Sequence, residues 1–144
     1  MPRSISMLLF PVIATGAIAA SPNPMAIETG ADLYDRCKPA VEIIQGAAIG
    51  TDERVLNTAA CFSYITGFRD GGSFSAGFIA AKRKSGPVTE KDVIDGSAFC
   101  WKAGYDNGTV ATSVINFLDR NPRRRKQPAG LVLMLVLRTE APCP

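Results

Sequence analysis

Four cysteines carry most of the reactive chemistry this chain could perform, and no histidine stands beside them. Cys37, Cys61, Cys100 and Cys143 are separated by 24, 39 and 43 residues. Zinc modules bring two ligands within a few residues, so these spacings do not suit one. A redox-active pair wants similarly close thiols. Without histidine the chain alone builds no Ser-His-Asp triad, no Cys-His dyad and no His-ligated metal site. Carboxylates offer little more. Asp32 and Asp35 share one helical stretch, as do Asp52 and Glu53, whereas an acid/base pair works across a cleft. Acids at helix starts instead complement the positive end of the helix dipole. No G-x-S-x-G, phosphate-binding glycine loop or dinucleotide fingerprint occurs. No catalytic residue, metal ligand or cofactor site is nominated, and the cysteines are left for disulfides.

The N-terminus explains why disulfides are chemically available. Residues 1–20 carry Arg3, an apolar stretch from Met7 to Ile18, and the small-x-small triplet Ala17-Ile18-Ala19. This is the pattern of a cleaved signal peptide, and its apolar run is shorter than the ~20 residues a bilayer span needs. Residues 21–28 read as a flexible N-terminal segment and 29–144 as one helical domain. The expected location is the periplasm, an oxidising compartment. The full chain has 144 residues, 47% of them hydrophobic, and a net charge of +3, which loses one unit with Arg3. That bias is too small to suggest nucleic-acid binding.

The elements that must bring the cysteines together are helices. Thr29 is a plausible N-cap for a helix running to about Gln45, with Pro39 expected to kink or break it. Gly46–Gly50 is a turn. A second helix starts at Thr51 and places Cys61, Ile65 and Phe68 on one face. Gly71-Gly72 should weaken it, although Phe74, Phe78 and Ile79 extend its apolar face. Two helices joined by a short turn run antiparallel. Cys37 and Cys61 each lie 12 residues from a turn centre near residue 49, so they should meet.

The second half repeats this logic. Lys82–Pro87 is a basic turn, and Thr89–Ile94 begins a short helix ending near Gly96. Val110, Val114, Phe117 and Leu118 define a helix face, with Thr109 or Asn107 as cap and Asn121-Pro122 as stop. Pro128 suits the first turn of the next helix, whose run Leu131–Leu137 is apolar on every side. Such a helix must be buried all round or meet a second subunit, which suggests a homodimer. Cys100 and Cys143 flank this hairpin symmetrically. The fold expected is all-α: a small helical bundle of two disulfide-closed helical hairpins, Cys37–Cys61 and Cys100–Cys143. Each bridge would contribute roughly 3–4 kcal/mol by loop entropy. Four cysteines permit three pairings, so a crossed arrangement stays open.

Binding residues are sought on the surface. The basic runs Lys82-Arg83-Lys84 and Arg123-Arg124-Arg125 could dock on an acidic partner, or be solvated charge between helices. Trp101 could anchor a partner or pack in the core. Candidate contact loops are Gly71–Ser75, Lys82–Pro87 and Asn121–Gln127.

The pieces also occur in a recognisable order. Gly30-x-x-Leu33-x-x-x-Cys37 precedes Cys61-x-x-Tyr64-x-x-Gly67-x-x-Asp70, then Phe99-Cys100, Phe117-Leu118, Pro122, Ala129-x-Leu131-Val132 and a closing Pro142-Cys143. This resembles the Tai/Rap family of type VI secretion amidase-immunity proteins over about residues 29–144. The resemblance implies a small, disulfide-containing, all-helical periplasmic protein, commonly dimeric. It would be no enzyme, and would bind a peptidoglycan amidase toxin and block its groove with an inserted surface element. The other reading is a periplasmic helical structural or chaperone-like binding protein with no amidase partner.

Overall fold

A computed structural model describes residues 25–97 and 105–140. Among these residues the chain forms five α-helices and one 3-10 turn, with a lone β-bridge and no strand. The helices are α1 (Gly30–Ile44), α2 (Asp52–Arg83), α3 (Glu90–Gly96), α4 (Asn107–Arg120) and α5 (Ala129–Glu140). The 3-10 turn spans Pro122–Lys126, between α4 and α5.

The α1 helix starts with a capping box. The Thr29 hydroxyl accepts from the Asp32 N–H, and the Asp32 carboxylate accepts from the Thr29 N–H at 2.8 Å. Leu33, Cys37, Ala40 and Val41 recur every three or four residues on its buried face. Of the kink or break expected at Pro39, the break does not occur: α1 runs on to Ile44. The carbonyl that loses its donor belongs to Asp35, which sits on the exposed side where water can substitute.

The α2 helix is longer than expected. It runs for 32 residues, straight through Gly71 and Gly72. Each interior glycine costs about 1 kcal/mol of helix propensity relative to alanine. Packing offsets this locally: α3 lies over Ala76, whose atoms come within 3.6 Å of a Cβ built at Gly96. The candidate loop Gly71–Ser75 is therefore helical. As expected, α3 is short and ends at Gly96, with Thr89 and Asp92 forming a second capping box.

The cap of α4 is Asp106, not Asn107 or Thr109; its carboxylate accepts from the Thr109 N–H at 2.7 Å. Its buried face is Val110, Ala111, Val114, Ile115 and Leu118. Pro128 opens α5, its carbonyl accepting from the Leu131 and Val132 N–H groups. In α5, Val132, Leu133, Val136 and Leu137 are fully buried. Within the single chain α5 is not buried on every side, because Leu131 is exposed.

One hydrophobic core joins α1, α4, α5 and the first half of α2. Phe68 is the last α2 residue packed against it. Beyond Phe68, α2 continues for roughly 15 residues, about 22 Å at 1.5 Å per residue, and carries α3.

Candidate functional site

The disulfide that holds the first hairpin is Cys37–Cys61, as the turn symmetry anticipates. The Cα atoms are 5.0 Å apart and both residues are fully buried. The bridge encloses a 24-residue separation, for which the loop-entropy relation gives about 3.5 kcal/mol. Polar contacts reinforce the same pairing. Arg36 on α1 donates from Nη1 to the Asn57 Oδ1 on α2. Arg54 Nη1 meets Glu42 Oε2 at 2.8 Å. Cys100, Cys143 and Trp101 lie outside the described residues.

The turn carrying Arg123–Arg125 is pinned on both sides. Gly30 N–H donates to the Gln127 carbonyl at 2.8 Å, and Ala129 N–H donates to the Glu28 carbonyl at 2.8 Å. Those bonds form the Thr29–Pro128 bridge. The approach is so close that a Cβ on Gly30 would lie 2.7 Å from the Arg124 carbonyl oxygen. The three arginines then separate by role. The Arg125 guanidinium stacks 3.8 Å from the Tyr34 ring centre, and its Nη2 meets Asp119 Oδ1 at 3.0 Å. Arg124 donates from Nη1 to Gln127 Oε1 at 2.9 Å but stays exposed, as does Arg123. The pinned turn therefore presents two arginines to solvent and uses the third internally.

The second basic run lies at the far end of α2. Lys82 and Arg83 fill its last turn and Lys84 caps it. Lys84 Nζ meets Asp92 Oδ2 at 2.6 Å, tying the α2 terminus to the α3 capping box. That ammonium and the Thr89 hydroxyl and N–H hold the Asp92 carboxyl well below the usual carboxylate range. Lys91 is paired to Asp95 at 2.8 Å. Among the described residues Lys82 and Arg83 form no ion pair. Lys82 Nζ instead sits 4.7 Å from the Phe78 ring centre.

The sequence reads Phe74, Phe78 and Ile79 as continuing the apolar face of α2. They are exposed, Phe74 at 76% and Phe78 at 53%. The missed signal was their position beyond Phe68, on a helix outrunning its core. A second feature is an open cleft of about 720 Å³ lined by Ile44, Phe62, Thr112 and the start of α4. Asn107 is held there by its Nδ2 bond to Thr66 Oγ1 at 2.9 Å. The Asp106 carboxylate already occupies the α4 N-terminus, and hydrogen bonds from Thr109 lower its pKa.

Among the described residues no group of three metal-ligating side chains occurs, and no helix is long and apolar enough to cross a membrane. No curated protein and no solved structure matches the chain. Residues 29–143 match the Rap1a immunity proteins, so four-fifths of the sequence, from the Thr29 cap to Cys143, aligns with one family. The chain belongs to the Rap1a immunity protein family.

Proposed function

We propose that this chain is a periplasmic immunity protein that binds and blocks a peptidoglycan amidase delivered by type VI secretion. The observation that carries the reading is the family match over residues 29–143. Two further features agree with it. The leader-like residues 1–20 would deliver the chain to the compartment where peptidoglycan is cut. The buried Cys37–Cys61 bridge suits an oxidising location.

The protein acts by occupancy rather than by chemistry of its own. Tight inhibition of an enzyme needs a rigid element placed in the substrate groove, with one or two desolvated anchors. Candidate contact surfaces are the Lys82–Pro87 end of α2 and the exposed Arg123 and Arg124 of the pinned turn. A homodimer belongs to the same reading, with the exposed Leu131 of α5 as one apolar position it would cover. The pairing of Cys37 with Cys61 leaves Cys100 and Cys143 to form the second bridge, which a non-reducing peptide map would display.

The test is protection. The amidase encoded beside this gene is exported to the periplasm with and without the immunity chain, and lysis is followed. Purified peptidoglycan hydrolysis is measured in parallel. The expected result is survival and loss of hydrolysis at stoichiometric protein. Continued lysis and undiminished hydrolysis would reject the amidase reading.

A further inference from the structure

The distal half of α2 does something the core does not require. Among the described residues, none between Phe68 and Tyr105 belongs to the main hydrophobic core or packs against it. Residues 69–83 nevertheless remain helical despite three glycines, and they expose three large apolar side chains, Phe74, Phe78 and Ile79. Exposed apolar side chains grouped on one element mark a contact surface rather than incidental surface.

The orientation is set by α3. Ala76 and Gly77 of α2 lie against Gly96 and Val93 of α3, and Lys84 beyond them meets Asp92. Phe74 and Phe78 are each two residues from Ala76, roughly 160° around the helix axis. They therefore lie on the face away from α3, and α3 cannot cover them. Gly67 and Gly71 continue that face toward the core. A Cβ at either would meet nothing within 4 Å, so no internal contact demands a glycine there. Two glycines at a spacing of four leave a flat helix surface that another backbone can approach closely.

Charge selects the kind of partner. Lys84 and Lys91 are neutralised by Asp92 and Asp95. Lys82 and Arg83 carry no such partner among the described residues, and Lys82 lies beside the Phe78 ring. The face thus runs from a flat glycine strip, through two aromatic anchors, to Lys82, whereas Arg83, seven residues from Ala76, lies on the α3 side. Its complement is an apolar cleft with carboxylates at its rim. A lipid surface fits less well, because anionic membranes are read by clusters of about four to eight cations.

We propose that this face of α2, centred on Phe74 and Phe78 and ending at Lys82, enters an apolar, acid-rimmed cleft on the amidase. The inference rests on the amidase reading above and names the surface that performs it.

The experiment measures binding of the mature chain to the neighbouring-gene amidase by surface plasmon resonance at two salt concentrations. The variants are F74S/F78S, K82A and, for comparison, R123A/R124A. Circular dichroism melts check folding, which the exposed positions should leave intact. F74S/F78S is expected to weaken affinity at least 100-fold, through faster dissociation. K82A should slow association and flatten its salt dependence. R123A/R124A, at the other candidate contact surface, should weaken binding less than F74S/F78S does, and the reverse order would move the assignment to the pinned turn. Wild-type affinity in folded F74S/F78S would overturn the assignment while leaving the amidase reading intact. If the parent chain binds no amidase, both fall. In that case, F74S/F78S-sensitive sedimentation as a dimer would assign the face to a second copy. Flotation with phosphatidylglycerol vesicles would assign it to a membrane.

Discussion

The guanidinium of Arg125 lies 3.8 Å from the centre of the Tyr34 ring, joining the turn before α5 to the first helix. A stacked cation of this kind contributes about 0.5–2 kcal/mol. The half-exposed ion pair to Asp119 adds little, and Arg125 Nε is buried without a hydrogen-bond partner, which offsets part of the gain. Arg125→Ala is therefore expected to lower stability by about 1 kcal/mol. Arg123→Ala should stay within about 0.5 kcal/mol of the parent, as exposed substitutions do. Urea midpoints distinguish the two. Equal midpoints would show that the stack is energetically idle.

Glycines give predictions of opposite sign. Gly30 faces backbone: a Cβ would come 2.7 Å from the Arg124 carbonyl and 3.1 Å from the Arg125 Cα. Neither can move without breaking the Thr29–Pro128 bridge, so Gly30→Ala should cost about 1–3 kcal/mol. A Cβ at Gly108 would meet the terminal Cδ1 of Ile44 at 2.9 Å, in an exposed side chain that can turn aside, and the capping Asp106 Oδ1 at an ordinary 3.4 Å. Gly108→Ala should be near neutral. Gly67→Ala and Gly71→Ala meet open space and should each stabilise α2 by about 0.5–1 kcal/mol. If the α2 face docks as proposed, the same two variants bind the amidase more weakly while melting higher. A gain in both properties would argue against close backbone approach.

Removing the Cys37–Cys61 bridge should lower stability by about 3.5 kcal/mol, the loop-entropy value for its 24-residue separation. The C37A/C61A double variant measures this by denaturant unfolding. Because both cysteines are fully buried, reduction should require opening of the α1–α2 hairpin. Thiol release by dithiothreitol should therefore accelerate steeply with urea below the unfolding midpoint. Rapid release without urea would show that the hairpin opens on its own.

The acid response follows from the caps. Hydrogen bonds from the Thr29 side chain and backbone lower the Asp32 pKa below its ordinary 3.8, and the Thr109 N–H does the same for Asp106. Depressed folded values mean stability is present above the ordinary value and lost as pH falls below it. With no histidine in the sequence, the melting temperature should be flat from about pH 5 to 8 and fall below about pH 4. Asp32→Ala should cost about 1 kcal/mol at neutral pH and reduce the acid loss. A transition near pH 6 would contradict this.

Local chemistry was legible in the sequence because it depends on near neighbours. Thr29 with Asp32, Thr89 with Asp92, and the Asn121-Pro122 stop are readable from residue type and spacing. The Cys37–Cys61 bridge was legible too, because a short turn fixes the register of two helices. Breaks were overestimated for the same reason. Pro39 and Gly71-Gly72 carry real propensity costs, but tertiary contacts and water offset them, and propensity alone does not include those terms. The tertiary structure decided which apolar residues are buried. Phe68 and Phe74 look alike in sequence, yet one packs on the core and the other stands exposed where α2 has outrun it. It also divided the three arginines, since only the close approach of Gly30 to Arg124 brings Tyr34 beneath Arg125. Composition and spacing determine which elements form. Which side chains are left for a partner depends on where the core ends, and that is a property of the packed chain.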